Sequence, residues 1–251
     1  MKKIYILSDA HLGSWAIEHR RTHERRLVSF LNKIKDDASA VYFLGDMFDF
    51  WYEFKYAVPK GFTRFLGKVS ELTDKGVEVH FFTGNHDIWC LDYFEKECGM
   101  TIHRKPCLVE MYGKELFLAH GDEFSTEKGF GLLRAMFHNR FLQWAFSMVH
   151  PRWSLWAGHA WARHSMIRHK VKGDTPYLGA DKEDCVKFAE RYLCNHPSVD
   201  CFVFGHRHID VDIPLSETSR CIFLGDWIST FAYVEVGADA VKLKYYKEGE
   251  K

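Results

Sequence analysis

Residues 4–11 read IYILSDAH, and this stretch decides the fold because a short apolar run ends directly in polar side chains. Apolar residues over Ile4–Leu7 are typical of a buried β-strand. Asp9 and His11 lie two residues apart and therefore emerge on the same side where the strand ends. Further apolar runs that predict strands are Ala40–Leu44, Val77–Thr83, Leu116–Ala119, Cys201–Phe204 and Cys221–Leu224.

Two amphipathic patterns separate the first three predicted strands. Arg25–Ile34 and Phe62–Leu72 each place their apolar residues on one helical face. Alternation of strand and helix predicts an α/β domain. Near the end, Phe231–Val236 and Val241–Tyr246 flank a loop that contains glycine, which predicts a β-hairpin. This hairpin suggests a second sheet packed on the first.

Bulk composition is that of a folded protein without a global charge bias. The 251 residues are 47% hydrophobic and 27% charged, and the formal net charge is zero. Seven cysteines without a Cys-x-x-Cys pair predict reduced thiols in a cytosolic compartment. The first apolar stretch is too short for a signal peptide, and there is no run of 18 apolar residues. We expect a cytoplasmic protein, with peripheral membrane contact left open.

Five polar motifs, each after an apolar run, predict a metal centre. Strand carboxyl ends converge on one edge of an α/β sheet, which is the usual place for its active site. Mixed carboxylate, amide and imidazole ligands suit Mn²⁺, Fe or Zn²⁺ better than Mg²⁺ or Ca²⁺. Two such ions about 3.5–4 Å apart activate water and clamp a phosphate for in-line attack. The motifs are Asp9-Ala10-His11, Gly45-Asp46, Gly84-Asn85-His86-Asp87, His120-Gly121-Asp122 and Gly205-His206-Arg207-His208.

Each motif residue has an expected role. The Asp46 carboxylate can offer one oxygen to each ion, and Asn85 supplies a neutral amide oxygen. His86 is the uncommitted histidine, which could stabilise phosphoryl charge or protonate the leaving group. Asp49, three residues after Asp46, is a candidate to orient that imidazole. The predicted metal-binding residues are Asp9, His11, Asp46, Asn85, His120, His206 and His208.

One segment contains no acid. Lys128–Gly173 has no Asp or Glu, but it has eight Lys or Arg, five His and eight Phe or Trp. Its periodicity is helical and it lies between two motifs, so we predict a helical cap over residues 127–183 within a single domain of residues 1–251. Cationic and aromatic groups together suit an anionic, amphipathic ligand. The alternative is an ordinary buried helical hairpin whose charges are solvated.

The ordered motif set resembles that of the calcineurin-like metallophosphoesterases, and the resemblance runs from Asp9 to the final hairpin. It implies an α/β two-sheet sandwich flanked by helices, with two divalent ions at its edge. By resemblance, one ion would be held by Asp9, His11, Asp46 and His208, and the other by Asp46, Asn85, His120 and His206.

Four segments resemble the UDP-2,3-diacylglucosamine hydrolases of lipid A synthesis more closely. They are residues 45–51 (GDMFDFW), residues 94–101 (FEKECGMT), a lid-like helix over Arg134–Gln143 and residues 224–227 (LGDW). The resemblance implies hydrolysis of the pyrophosphate of UDP-2,3-diacylglucosamine to UMP and 2,3-diacylglucosamine 1-phosphate. It also implies Mn²⁺ as cofactor and an anionic lipid-linked nucleotide sugar as partner, bound under a cap that holds acyl chains.

Two positions depart from that pattern. His86 stands where well-known members have arginine, and Phe130 stands where a tyrosine is expected. The basic residues of the cap align poorly with the family and are selected by position and charge. The residues predicted to contact substrate are Asn85, His86, Phe130, Arg134, Trp153, Trp156, Arg163, Arg168, Lys170 and Lys172.

Two other functions are compatible with the fold. A nuclease or cyclic-nucleotide phosphodiesterase could use the basic segment to track phosphates, but the aromatic cap and neutral net charge count against a nucleic-acid partner. A non-catalytic scaffold would usually lack a metal ligand or the motif histidine, and here all are present. The sequence indicates no particular protein partner.

Overall fold

Two β-sheets form the centre of the fold. The computed structural model describes residues 2–127, 129–172, 177 and 179–249, and of residues 165–172 it describes the backbone alone. The strands are β1 (Lys3–Leu7), β2 (Ala38–Leu44), β3 (Glu78–Phe82), β4 (Thr101–His103), β5 (Cys107–Met111), β6 (Lys114–Ala119), β7 (Val199–Phe204), β8 (Asp210–Pro214), β9 (Arg220–Leu224), β10 (Ala232–Val236) and β11 (Val241–Tyr245). The α-helices are α1 (Arg20–Ile34), α2 (Thr63–Asp74), α3 (Tyr93–Cys98), α4 (Phe130–His138), α5 (Arg140–Ser147), α6 (Pro151–Lys172) and α7 (Asp184–Leu193).

Both sheets contain a parallel centre. The first has the order β11-β10-β1-β2-β3-β4 and the second β5-β6-β7-β9-β8. Strands β1 to β4 pair in parallel, and so do β6, β7 and β9. The α/β class and the presence of two sheets, both predicted from the sequence, are confirmed.

The C-terminal hairpin belongs to the first sheet, so the suggestion that it builds the second sheet is wrong. Strand β10 pairs antiparallel with β1, with Val236 opposite Ile4, and β11 pairs with β10. A hairpin pattern fixes how its own two strands pair but not which third strand they join. Here the hairpin covers the backbone of β1, which would otherwise be an open sheet edge.

Side chains alternate between an inner and an outer apolar layer. In β2, Tyr42 and Leu44 pack between the two sheets, whereas Val41 and Phe43 pack in the layer that includes α1 and α2. Strand β7 alternates in the same way between the inner layer and a layer that includes α7. This period of two produces a four-layer sandwich of helices, sheet, sheet and helix.

Helix α1 buries the stripe that the sequence predicts. Leu27, Phe30, Leu31 and Ile34 are all buried, at the i, i+3, i+4, i+7 spacing of one helical face. The helix begins at Arg20, five residues before the predicted start. Burial of this face fixes α1 against the first sheet, next to the loop that follows β1.

Residues 130–172, which we call the helical segment, contain α4, α5 and α6. The lid-like helix predicted over Arg134–Gln143 is divided between two helices in the structure, because Asn139 interrupts it. Asn139 has an extended backbone with ψ of 115°, and its side chain accepts hydrogen bonds from the N–H groups of Phe141 and Leu142. It is therefore the N-cap of α5, a role that asparagine favours over a helix interior.

The helical segment packs on the chain that follows Asp46. The Tyr52 hydroxyl donates to the carbonyl of Gln143 at 2.8 Å, and the Trp89 indole N–H donates to the carbonyl of Phe137 at 2.9 Å. At Gly158 the helix α6 backbone approaches Phe50 so closely that a Cβ would lie 2.1 Å from the ring.

Two further observations concern thiols and membrane spans. All seven cysteines are free. Among the described residues, no helix has both the length and the apolar character needed to cross a bilayer.

Candidate functional site

Five of the predicted metal ligands have a left-handed backbone. The φ angles are 55° at Asp9, 42° at His11, 53° at Asp46, 63° at His206 and 54° at His208. Non-glycine residues rarely adopt this region, and such strain concentrates where surrounding structure holds a functional geometry. The loops after β1, β2 and β7 are therefore shaped by their surroundings rather than by local preference.

Glycines in the motifs allow these loops to touch. A Cβ on Gly84 would lie 2.2 Å from Asp46 Oδ1, and a Cβ on Gly205 would lie 2.6 Å from Asp9 Oδ2. Any side chain at either position would push a carboxylate away, so the close approach requires glycine.

Asp87 joins the second and third motifs. Its carboxylate accepts hydrogen bonds from the backbone N–H groups of Gly84, Asp46, Met47 and Phe48 at 2.8–3.3 Å. Burial and the neighbouring charge of Asp46 raise the pKa of Asp87 to about 7. This role of Asp87 is not among the predictions from the sequence, although its place in the third motif is a signal for it.

Asp9, His11 and His208 converge on one point. Asp9 Oδ1 lies 3.2 Å from His208 Nε2 and 3.8 Å from His11 Nε2, and the two imidazole Nε2 atoms are 3.2 Å apart. The other oxygen, Oδ2, accepts hydrogen bonds from the Ser8 hydroxyl and the His206 N–H. Asp9 Oδ1 is buried and accepts no hydrogen bond from the described residues.

Asp46 lies between this point and a second one. Its Oδ2 is 3.8 Å from His11 Nε2 on one side and 3.3 Å from His120 Nε2 on the other. Its Oδ1 accepts a hydrogen bond from the His86 N–H at 2.9 Å, which fixes the carboxylate plane. Ligand atoms of Asp46, His120 and His206 all lie within 4.8 Å of one another.

The donor set fits divalent cations. His120 Nδ1 lies 2.7 Å from the Leu44 carbonyl, which can only accept, so Nδ1 carries the hydrogen and Nε2 faces Asp46. This is the usual arrangement of a metal-binding histidine. His120 Nε2 and Asn85 Oδ1 are buried without a hydrogen-bond partner in the described part of the chain. Buried polar atoms normally have partners, so these atoms fit ligands of an ion.

Electrostatics at the cluster favour added positive charge. Burial alone would lower the pKa of His11, but Asp9 and Asp46 raise it to about 9. Burial would likewise raise the pKa of Asp46, but nearby imidazoles, with His120 foremost, lower it. Burial and the proximity of His120 lower the pKa of His206 to about 4. The carboxylates of Asp9 and Asp46 are therefore ionised and attract a cation, which a proton or a divalent ion can supply.

His86 contacts the backbone of Asp49. The sequence predicts that Asp49 orients the His86 imidazole, but it does not specify which atom of Asp49 does so. His86 Nδ1 lies 2.7 Å from the Asp49 carbonyl, and so it donates. The Asp49 carboxylate Oδ1 instead lies 3.8 Å from His11 Nδ1. Spacing along the chain could not distinguish the two atoms. The Trp161 ring, which sequence analysis did not select, lies 5.3 Å from the His86 ring.

Residues of the helical segment reach the cluster to different extents. The Phe130 ring lies 6.0 Å from the ring of His206. Arg134 Nε donates to Asp122 Oδ2 at 2.9 Å, so part of its guanidinium is already paired. Phe130 and Arg134 line a small cavity together with Asn85 and Trp161.

None of the other predicted substrate contacts whose side chains the structure describes lines this cavity. Trp153 and Trp156 are 60% and 67% exposed, so they face solvent. The Arg163 guanidinium lies 4.9 Å above the ring of Trp15. The predictions for Arg168, Lys170 and Lys172 concern side chains outside the described residues.

Sequence analysis also missed two groups that hold the His206–His208 loop. The Asp226 carboxylate accepts from three consecutive backbone N–H groups of residues 228–230 and lies 4.0 Å from His208 Nδ1. Arg207 forms two hydrogen bonds with the buried Glu183, just before α7. Residues 224–227 carried a weak signal for Asp226, whereas nothing in the sequence paired Arg207 with Glu183.

Known proteins resemble this chain along most of its length. Residues 2–210 match the calcineurin-like phosphoesterase family. The chain is 44% identical over 242 residues to a UDP-2,3-diacylglucosamine hydrolase of Porphyromonas gingivalis, covering 92% of each chain. It is 30% identical over 237 residues to a protein of the same name from Aeromonas hydrophila, covering 88% and 89%. A solved E. coli phosphoesterase has a TM-score of 0.46 and 16% identity, covering 95% and 90%.

The family match includes all five motifs up to His208, the last of the predicted ligands. The ionised carboxylates and inward-facing imidazoles described above are a donor set for divalent metal ions. This chain therefore belongs to the calcineurin-like phosphoesterase family and is a metal-dependent hydrolase.

Proposed function

We propose that this protein hydrolyses the pyrophosphate bond of UDP-2,3-diacylglucosamine, giving UMP and 2,3-diacylglucosamine 1-phosphate. The observation that carries the proposal is 44% identity over 92% of the chain to a hydrolase named for that substrate. The convergent Asp and His cluster supports it, because pyrophosphate cleavage needs charge neutralisation at the phosphoryl oxygens.

The proposed ligand sets share Asp46. One ion would be held by Asp9, His11, Asp46 and His208, and the other by Asp46, Asn85, His120 and His206. The position of Asp46 Oδ2, 3.8 Å from His11 Nε2 and 3.3 Å from His120 Nε2, supports a bridging role. Two divalent ions, for which Mn²⁺ is our proposal, would supply Lewis-acid activation of water and phosphate.

His86 is the proposed catalytic side chain. Its Nδ1 donates to the Asp49 carbonyl, so Nε2 is the nitrogen left for the phosphoryl group or the leaving oxygen. Burial lowers the pKa of His86, which favours the neutral ring. The negative charge of a bound pyrophosphate would raise the pKa of His86, so substrate binding itself would promote protonation of Nε2. Asp49 then acts as a positioning residue through its backbone.

The helical segment is the proposed site of acyl-chain recognition, within a cap of residues 127–183 on a single domain. Large apolar side chains of this segment face solvent, which ordinary folded surfaces avoid in such density. We propose that they cover acyl chains and contact the inner face of the cytoplasmic membrane, with the segment's arginines near lipid phosphates. The most exposed of them are Leu132, Phe141, Trp144, Met148, Trp153 and Trp156.

The decisive experiment is direct. Purified protein with Mn²⁺ should release UMP from UDP-2,3-diacylglucosamine and little from a UDP-sugar without acyl chains. A cyclic nucleotide and single-stranded DNA serve as alternative substrates. No UMP release with Mn²⁺, Mg²⁺ or Zn²⁺, together with turnover of either alternative, would replace this function with a phosphodiesterase of nucleotides.

A further inference from the structure

Helix α1 contacts the first metal-binding loop through His23. This side chain is 6% exposed, and its Nε2 lies 2.7 Å from the backbone carbonyl of Ala10. A carbonyl oxygen can only accept, so Nε2 carries the hydrogen and donates it. Ala10 is fully buried, and its carbonyl therefore has no water to replace this donor.

Ala10 lies between two predicted ligands, so the orientation of its peptide groups affects both. Its neighbours Asp9 and His11 both have left-handed φ angles, 55° and 42°. The N–H groups on either side are already fixed, since Asp9 donates to the Gly45 carbonyl and His11 to the Asp46 carbonyl. The hydrogen bond from His23 fixes the Ala10 carbonyl in this strained turn.

The surroundings of His23 suit a neutral donor. Helix α1 is fixed against the first sheet by its buried apolar stripe, so His23 projects from a rigid element. Burial lowers the pKa of His23, and the charge of Arg26 acts in the same direction, while Asp226 opposes it. Arg20, on the same helix, donates to the carbonyl of Ser14 and so holds the loop three residues after His11.

We propose that His23 is a positioning residue that holds the carboxylate of Asp9 and the imidazole of His11 in the geometry that binds one divalent ion. The proposal rests on the metal ligands proposed above. It assigns to α1 a role in metal affinity, although no residue of α1 is itself a predicted ligand.

The test measures Mn²⁺ binding to metal-free protein by calorimetry, with no substrate present. His23→Leu removes the donor and should weaken binding at one site about 10–100-fold, the usual cost of losing a partner that orients a ligand. His23→Gln places an amide N–H near the position of Nε2 and should bind nearly as wild type does. His19→Leu, on an exposed histidine just before the same helix, is the matched control and should change nothing.

The outcomes separate this proposal from the substrate proposal. Wild-type Mn²⁺ affinity in His23→Leu would overturn the positioning role, whatever happens to its melting temperature. If His23→Leu does not fold, His23→Gln is compared with His23→Asn, whose amide is one methylene shorter. Equal affinity in those two would also overturn it. Tight Mn²⁺ binding by a wild-type protein that releases no UMP would reject only the substrate.

Discussion

The edge of the sandwich and the helical segment are held in place by different means. At the edge, Asp87 anchors loops by accepting from four backbone N–H groups, and Asp226 does so by accepting from three. In the helical segment, the described tethers are mostly aromatic contacts and single hydrogen bonds such as that from Tyr52 to Gln143. The comparison shows that the proposed metal ligands lie where many hydrogen bonds fix the geometry, whereas the surface proposed to recognise substrate is held by fewer described contacts.

This contrast also appears in exposure. Asp9, Asp46 and His120 are at most 2% exposed, whereas Trp153 and Trp156 are 60% and 67% exposed. Changes at the edge should therefore act on turnover and metal binding, and changes on the segment should act on binding of acylated ligands. Four variants test that division.

Asp46→Asn should have the largest effect. It removes the charge shared by both proposed ion sites while keeping the shape of the side chain, and turnover should fall about 10³-fold. Turnover and bound metal are both measured, the latter by elemental analysis. Asp36→Asn, at an exposed carboxylate, is the matched control. If Asp46→Asn keeps wild-type metal content and wild-type turnover, the assignment of metal binding and turnover to this edge of the sandwich is wrong.

His86→Ala should come next. It removes the proposed proton donor but leaves the metal ligands in place, so turnover should fall about 10²-fold with metal content retained. The control is His196→Ala, at an exposed histidine. Loss of metal in His86→Ala would mean that this residue supports the ligands rather than the reaction.

Gly158→Ala tests the tether of the helical segment. The added Cβ would lie 2.1 Å from Phe50, so we expect a loss of about 1–3 kcal/mol in the free energy of unfolding from overpacking. Gly67→Ala in α2 meets no atom within 4 Å and should instead gain up to about 1 kcal/mol from helix propensity. Urea denaturation measures both. Equal stability in the two variants would show that α6 does not press on Phe50.

The double variant Trp153→Ser, Trp156→Ser should have the smallest effect of the four. Micelle or acylated-substrate binding should weaken about tenfold through lost apolar contact, while a small chromogenic phosphodiester is hydrolysed as before. Tyr56→Ser, at an aromatic residue that is 88% exposed outside the segment, is the control. If activity on both substrates falls equally, these tryptophans have a structural role, and the proposed separation of substrate recognition from chemistry is wrong.

Much of the fold could be predicted because buried faces of strands and helices require apolar residues at regular spacings in the sequence. The run Ile4–Leu7 and the apolar stripe of α1 both correspond to buried faces in the structure. What failed depended on pairing between distant segments. Nothing in the hairpin residues 231–246 specifies β1 as a neighbour, and helical spacing across residues 134–143 does not reveal that Asn139 caps a new helix.

The candidate site shows the same limit. Motifs identified which residues gather at the edge because ligand types and strand ends are visible in sequence. They did not identify atoms: residue spacing does not specify that His86 contacts the backbone carbonyl of Asp49. The motifs also do not indicate hydrogen-bond partners outside the motifs themselves. Examples are His23, which donates to the Ala10 carbonyl, and Glu183, which accepts from Arg207. Such contacts depend on three-dimensional packing and leave no local signature.

The position of β10 beside β1 has a consequence for synthesis on the ribosome. Strand β1, which leads into Asp9, gains its second neighbour only when residues 232–236 have emerged. His206 and His208 also emerge late, so a nascent chain ending before them holds only part of the proposed ligand set. Domains generally fold as units during synthesis. The full set of proposed metal ligands is therefore complete only late in synthesis, once His206 and His208 have emerged.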